Sequence, residues 1–194
     1  EKNKRRYDDQ CEVMLMAYGI SGPLTLSASA VLKEPSKEQY TAFIDMKPAL
    51  TEQQLDARIL REFNDSKNGI LGNILRKLMP AQLIAPVCGI AGVQPDMRIS
   101  ILTKEQRLAV VKTIKAMPLH ITGTRPIDEA IITRGGVSVK EINAKTMESK
   151  ICSGLYFAGE IIDADGYTGG FNLQIAFSTA YCAGISMTQT DDTN

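Results

Sequence analysis

The sequence predicts an α+β fold, in which short strands and a helical bundle are followed by a C-terminal strand-loop-helix segment. Two observations indicate the bundle: a pair of capping-box sequences, and apolar residues at fourfold spacing behind each of them. A third observation indicates the C-terminal part. After Pro118 the apolar period becomes strand-like, and a glycine-rich stretch then separates an apolar run from the last helix.

The N-terminal part is predicted to alternate short strands with a helix. Residues 13–18 form an apolar, strand-like run that ends at Gly19. Ser21 is the predicted N-cap of a helix that has Pro23 in its first turn. A second strand is predicted over residues 40–46, where alternate residues are apolar.

Residues 51–117 are predicted to be largely helical. TEQQ at 51–54 and TKEQ at 103–106 fit the capping box, in which a hydroxyl and a side-chain amide satisfy backbone donors that the helix leaves free. A third stripe is predicted to stop at Pro80, followed by a short apolar turn broken by Pro86 and Gly89. The apolar stripes that predict core packing are Leu55, Ile59 and Phe63; Ile70, Ile74 and Leu78; and Val110, Ile114 and Met117.

Beyond Pro118, strands are predicted at 119–122, 130–133 and 155–158, and a final helix at about 172–187. Gly135 and Gly136 predict a tight hairpin. The change of pattern near Arg125 and Pro126 predicts a domain boundary, with one domain over 1–128 and a second segment over 129–194.

Composition argues against several classes of function. The chain has 22 basic and 22 acidic side chains, so we expect neither nucleic acid nor a membrane as a partner. The four cysteines form no C-x-x-C pair and His120 is the only histidine, so no metal site is expected. We expect buried, reduced thiols in a cytoplasmic protein, and His120 as a strand residue. No residue stands out as an acid–base catalyst.

The stretch GLYFAGEIIDADGYTGGFNLQ at 154–174 carries the chemistry. Gly159 would let a ligand approach the backbone, and Glu160 or Asp163 could accept hydrogen bonds from ligand hydroxyls. Gly169 and Gly170 would leave backbone N–H groups exposed at the start of the last helix, where the helix dipole favours an anionic or carbonyl oxygen. A purely structural turn is an equally good interpretation of this pattern alone.

The whole chain resembles the BaiN-like, aminoacetone-oxidase-family NAD(P)/FAD-dependent flavoproteins. The resemblance rests on YGISGP at 18–23, on TRGGV at 133–137 with TMESK at 146–150, and on the stretch at 154–174. It implies an FAD-binding domain that is interrupted by an inserted domain. On this chain the insert would occupy about the first 125 to 130 residues, and the remainder would close the FAD domain.

The resemblance also implies site residues. It places Gly159 and Glu160 against the ribityl and pyrophosphate region of FAD, and implies less defined roles for Asp163 and Asp165, which could equally be loop residues. It implies that the glycine-rich loop presents backbone donors to the flavin ring through Gly169, Gly170, Phe171, Asn172 and Leu173.

We expect the chain to be part of a longer flavoprotein. It begins with EKNK rather than with Met, and its 15 glycines include no G-x-G-x-x-G. It would therefore hold one wall of the flavin site and bind no FAD alone. The expected partners are the N-terminal FAD-binding half, a small organic substrate and an electron donor, for which NAD(P)H is one candidate. Two other interpretations remain: a non-enzymatic ligand- or protein-binding module, and a nucleotide-binding protein that uses the final helix for a phosphate.

Overall fold

The computed structural model describes residues 7–33, 37–66 and 69–189, and these ranges confirm the predicted α+β class. The chain divides into two compact units, one made of Glu1–Glu34 with Thr124–Asn194 and the other of Pro35–Gly123. The described helices are α1 (Pro23–Ser29), α2 (Glu52–Asp65), α3 (Leu71–Leu75), α4 (Ala81–Ala91), α5 (Lys104–Lys115) and α6 (Phe171–Gln189). The described strands are β1 (Met14–Met16), β2 (Gly19–Ser21), β3 (Tyr40–Ile44) and β4 (Met117–Ile121).

The strands form two separate antiparallel pairs. β1 pairs with β2 through a tight turn that sets Met16 opposite Gly19. β3 pairs with β4, which sets Tyr40 opposite Ile121 and Ile44 opposite Met117. His120 lies in β4, as predicted.

The two capping boxes are both confirmed. The Thr51 and Thr103 hydroxyls each accept a hydrogen bond from the backbone N–H three residues later, at 3.2 Å. The side-chain amides of Gln54 and Gln106 accept from the N-cap backbone in return, at 2.9 and 3.0 Å. These contacts begin α2 and α5 at the predicted positions because each satisfies two otherwise free donors.

The predictions for the middle of the bundle were wrong about α3 and α4. α3 is only five residues long, and the segment predicted as a broken turn is instead α4, with Pro86 inside it. Burial of Ile84, Val87 and Cys88 along one side of α4 outweighs the backbone hydrogen bond that the proline cannot make. The helix ends at Gly92, which adopts the left-handed conformation (φ 72°).

The Pro35–Gly123 unit has a substantial core of its own. Arg107 links α5 to α2 by donating two hydrogen bonds to the Asp56 carboxylate, at 2.6 and 3.2 Å. Burial raises the pKa of the Cys88 thiol, which keeps it protonated. The buried apolar residues are Leu55, Ile59, Leu71, Leu75, Leu78, Met79, Ile84, Val87, Cys88, Val93, Val110, Val111, Ile114 and Met117.

The other unit departs further from the sequence-based expectations. Residues 130–133 form no strand, and Gly135 and Gly136 make no hairpin. Residues 155–158 are not a strand either, because only Tyr156 forms a bridge, antiparallel to Glu148. Ser21 belongs to β2 and does not cap α1, whose N-cap is Gly22 (φ 99°).

The structure also describes the four cysteines and the length and hydropathy of the helices. Of the four thiols only Cys88 is buried; Cys11 and Cys152 are exposed and Cys182 is half-buried, so the expectation of buried thiols was wrong for those three. Within the described ranges, no helix is both long enough and apolar enough to cross a membrane. The assignment of 1–128 as an inserted domain and of 129–194 as part of an FAD domain remains a prediction.

We predict that Ile59→Ala will destabilise the chain by about 2–5 kcal/mol, because it deletes three carbons from a side chain that is 0% exposed. Urea denaturation followed by circular dichroism measures this loss. The control is Gln53→Ala, an exposed position in the same helix, which should change the free energy of unfolding by less than about 0.5 kcal/mol. Equal effects of the two changes would contradict the core described above.

Candidate functional site

The eight predicted site residues lie on one continuous stretch that ends in α6. A short 3-10 turn, Gly159–Ile161, begins it, and residues 162–170 connect that turn to the helix. Val137 runs parallel to the middle of the stretch and bridges to Ile162. The Val137 N–H donates to the Ile161 carbonyl at 2.8 Å, and the Asp163 N–H donates to the Val137 carbonyl at 2.9 Å. The stretch is therefore fixed at its centre.

Gly159 fastens the start of the stretch to α6. Its N–H donates to the Thr179 hydroxyl at 3.0 Å, and that hydroxyl lies 2.8 Å from the Ile175 carbonyl, to which it can donate. The φ of Gly159 is 77°, and no atom lies within 4 Å of the place where a Cβ would be. Its backbone conformation requires glycine, while the chain itself leaves the space above it open.

The two carboxylates of the prediction are placed differently. Glu160 is exposed and lines a narrow cleft together with Gly159 and Asn172. The cleft volume is about 10 Å³, roughly enough for one water molecule, so it encloses no larger ligand. Asp163 is also exposed, and it is held through its backbone N–H rather than through its carboxylate.

Asn172 shapes the glycine-rich loop from inside. Its side-chain oxygen accepts from the Gly166 N–H at 2.8 Å, and its side-chain nitrogen donates to the Gly166 carbonyl at 3.0 Å. Both ends of the amide are thereby used within the chain. Only the backbone N–H of Asn172 remains to serve the role that the resemblance implies.

Gly169 and Gly170 turn the chain into α6 with φ values of 113° and 92°. The Gly170 carbonyl accepts the first helical hydrogen bond, from the Gln174 N–H at 3.0 Å. In the part of the chain that the structure describes, no acceptor meets the N–H groups of residues 171–173. Three donors at the positive end of a 19-residue helix can bind an anionic or carbonyl oxygen.

Sequence reasoning missed the part played by Gly136. A Cβ there would lie 2.3 Å from the Ile161 carbonyl oxygen and 3.2 Å from the Asp163 nitrogen, and φ is 140°. Gly136 thus lets two backbone segments touch, where a hairpin had been predicted. The paired glycines were a visible signal, but the segment that they approach lies 25 residues further along the chain.

Two polar contacts beside the stretch were also missed. Arg134 donates to the Ala30 carbonyl, and its Nε lies 3.6 Å from Asp165 Oδ1. Through these two contacts Arg134 connects Asp165 in the loop to Ala30 at the end of α1. No local pattern predicts it, because Ala30 and Arg134 are far apart in the sequence.

A larger cleft of about 330 Å³ lies in the Pro35–Gly123 unit and contains none of the predicted site residues. Arg76, Asn73 and Asp96 contribute its polar groups. It is open and shallow beside α3 and α4, and the remaining lining residues are Ile70, Gly72, Ala81, Ile84, Ala85 and Pro95.

Comparison with protein families assigns the chain to a family. Residues 9–186 match the family described as the HI0933-like protein Rossmann domain. The match covers more than half of the sequence, and the chain therefore belongs to this family of FAD-dependent oxidoreductases. The resemblance inferred from the three motifs is thereby confirmed.

Three curated proteins are similar to this chain over most of its length. The chain is 33% identical over 171 residues to a ribosomal RNA dihydrouridine synthase of Haemophilus influenzae, covering 88% of this chain and 41% of that protein. It is 28% identical over 179 residues to a 3-dehydro-bile acid delta(4,6)-reductase of Clostridium scindens, covering 91% and 44%. An Escherichia coli ribosomal RNA dihydrouridine synthase is 31% identical over 166 residues, covering 85% and 40%. The chain spans about two fifths of the length of these relatives.

We predict that Gly136→Ala will destabilise the Val137–Ile162 bridge far more than Gly135→Ala. Both glycines have positive φ, but no atom lies within 4 Å of a Cβ at Gly135. The difference between the two variants therefore measures the energetic cost of the steric collision at Gly136. We expect this cost to be about 1–3 kcal/mol, as for overpacked cores. Hydrogen exchange of the Val137 and Asp163 amides measures it. Equal exchange in the two variants would show that the approach at Gly136 is not required.

Proposed function

We propose that this chain supplies the inserted domain and one wall of the flavin site of a longer FAD-dependent oxidoreductase. The observation that carries the proposal is the Gly169–Gly170 turn, which opens α6 with free N–H groups in a chain of this family. The partner that completes the site would be an N-terminal FAD-binding half. A cytoplasmic location belongs to the same proposal, supported by the four free thiols.

The difference in size between the two hydrophobic cores supports the proposal that a further part of the longer protein packs on the unit that carries the site. The Pro35–Gly123 unit buries fourteen apolar residues in one cluster, as an independent domain does. Among its described residues, the unit that carries the site buries four apolar residues in its cluster: Ile142, Met147, Ile162 and Ala183. So small a core gives little hydrophobic stabilisation, so this unit would gain most from a further layer.

The residues present fit a flavin in position and chemistry. The space above Gly159 and Gly170 is open, and the exposed Glu160 carboxylate lies beside Gly159, where it can accept hydrogen bonds from ribityl hydroxyls. The N–H groups of residues 171–173 would stabilise negative charge at the N1–C2=O edge of the ring. When bound, FAD would supply the hydride chemistry.

The substrate would be a small organic molecule with a reducible double bond. Two of the relatives are named ribosomal RNA dihydrouridine synthases and one a 3-dehydro-bile acid delta(4,6)-reductase. Both names describe the reduction of a double bond, and the bile acid is the small molecule among these substrates. Reduced nicotinamide is the electron donor that we propose. The role of this chain would be to bind and orient the flavin ring and to exclude water from one side of it.

The purified 194-residue chain is predicted to be colourless. One wall of the site would not retain FAD through purification, because the ADP half of the cofactor has no glycine-rich motif here to hold it. The flavin content is measured as the absorbance between about 350 and 500 nm, where the isoalloxazine ring absorbs, divided by the protein concentration. A stoichiometric flavin would overturn the statement that this chain is one wall only.

In the longer protein, Gly170→Val should abolish flavin retention while the inserted domain stays folded. A branched side chain at the start of α6 would occupy the space of the cofactor. The control is Gly154→Val, because Gly154 also has a positive φ (78°) with open space around it but lies outside the loop. Flavin content and circular dichroism of both variants are compared with the parent. Retention of FAD by Gly170→Val at the parent's level would rule out contact between this turn and the cofactor.

The coding sequence upstream of Glu1 gives a direct test of the proposal. It should encode a strand followed by G-x-G-x-x-G, with an acidic residue about 20 positions later. A strand-turn-helix without these glycines would leave the ADP half of FAD without its binding site and would contradict the proposal.

A further inference from the structure

Several hydroxyl groups on α6 form hydrogen bonds within the helix, and the Thr179 hydroxyl makes a further contact outside it. The Ser186 and Thr188 hydroxyls each donate to a carbonyl about one turn earlier, at 2.8 Å, a local contact that hydroxyls in helices commonly make. The half-buried Thr179 hydroxyl lies 2.8 Å from the Ile175 carbonyl and also accepts the Gly159 N–H at 3.0 Å. A hydroxyl can do both because it has one donor and two acceptor lone pairs.

The backbone of Gly159 needs such a partner because other conformations are open to it. Its φ is 77°, and glycine adopts positive and negative φ about equally readily. No atom lies within 4 Å of the place where a Cβ would be, so steric contact there does not restrain it. The far end of the turn is held separately, by the backbone hydrogen bonds of Val137 on either side of Ile162. The near end is held to α6 by the hydroxyl of Thr179.

We propose that Thr179 is a positioning residue for the flavin site, because its hydroxyl fixes Gly159 and Glu160 relative to the start of α6. This inference rests on the proposed function. Thr179 lies eight residues beyond Phe171, which is about 12 Å along the helix axis at 1.5 Å per residue. One helix therefore presents free N–H groups at its start and, through a single hydroxyl, holds the turn that carries the Glu160 carboxylate. A cofactor that contacts both places binds more tightly when their spacing is fixed in advance.

The same contact divides the work between Gly159 and Glu160. The Gly159 N–H is already used by Thr179, so it is not free to donate to a cofactor. Gly159 would contribute the open space above its backbone, and the exposed Glu160 carboxylate would contribute the polar contact. Thr179 would touch no cofactor atom and would act only through the turn that it holds.

Three variants separate the hydroxyl from the rest of the side chain. Thr179→Val removes the hydroxyl and keeps the branched shape, whereas Thr179→Ser keeps the hydroxyl and removes the methyl group. Thr188→Val is the matched control, because it makes the same change in the same helix at a hydroxyl that donates only to the Ile185 carbonyl among the described residues.

Hydrogen exchange of the Gly159 amide, followed by NMR on the 194-residue chain, tests the contact without any cofactor. Thr179→Val should speed this exchange about tenfold, the effect of losing one hydrogen bond, and Thr179→Ser should leave it close to the parent rate. The Val137 amide is the internal reference, because it donates to a backbone carbonyl and should not change. Equal Gly159 exchange in Thr179→Val and the parent would overturn the proposal.

The rate of FAD release from the longer protein tests the consequence for the site. The rise in flavin fluorescence after dilution of the holoprotein measures this rate. We expect release from Thr179→Val to be about tenfold faster than from the parent, since the turn would no longer be held in its binding conformation. Release from Thr179→Ser and from Thr188→Val should stay close to the parent rate. Circular dichroism of each variant reports whether the fold is kept.

Fast release from Thr179→Val that Thr179→Ser restores supports the positioning role. Parent-like release from Thr179→Val, in a longer protein that holds flavin, overturns that role and leaves the proposed function standing. Fast release from both Thr179 variants, or from Thr188→Val as well, also overturns it, because packing of α6 would then be responsible. Unfolding of Thr179→Val overturns it in favour of a purely structural role. A parent protein that binds no flavin overturns the proposed function, and the positioning role with it.

Discussion

The contact on which the candidate site depends is the parallel approach of two backbone segments, where Val137 exchanges hydrogen bonds with Ile161 and Asp163. The approach is possible because residue 136 has no side chain. It holds the centre of the stretch that leads from Gly159 to α6, and it buries Ile162 against Ala183. That contact between backbones fixes the centre of the stretch, while the side chains of Thr179 and Asn172 hold Gly159 and Gly166 on either side of it.

The helical part of the fold was predictable because its signals are local. A capping box needs only residues three positions apart, and both Thr51 and Thr103 begin helices where the sequence places them. α4 was missed because the effect of a proline depends on what its helix buries, and Val87 and Cys88 contact residues distant in sequence. The strand predicted over 155–158 does not form, for a related reason: a strand is defined by its neighbours, and here only Glu148 pairs with Tyr156.

The candidate site shows the same division between local and distant information. Gly159, Gly169 and Gly170 were identified from the pattern, and all three have positive φ, a property that the residue type itself suggests. The sequence could not show that Asn172 would use its side chain on Gly166, or that Thr179 would receive the Gly159 N–H. Those partners are set by how the loop folds back on the helix. A motif therefore defined the candidate site, while tertiary structure decided which of its groups remain available for a ligand.

The contacts of the Lys115 ammonium group restrict which substitutions position 115 can tolerate. Its ammonium group contacts three oxygens: the Lys47 carbonyl at 2.8 Å, the Leu50 carbonyl at 2.5 Å and the Asp45 carboxylate at 2.5 Å. An ammonium has three donors that can point to three converging acceptors, whereas a guanidinium offers a flat fork. Arginine at this position would keep the charge and lose the geometry. Acetylation would remove the charge and leave a single N–H donor for three acceptors. The connection between β3 and α2 therefore requires the lysine ammonium itself.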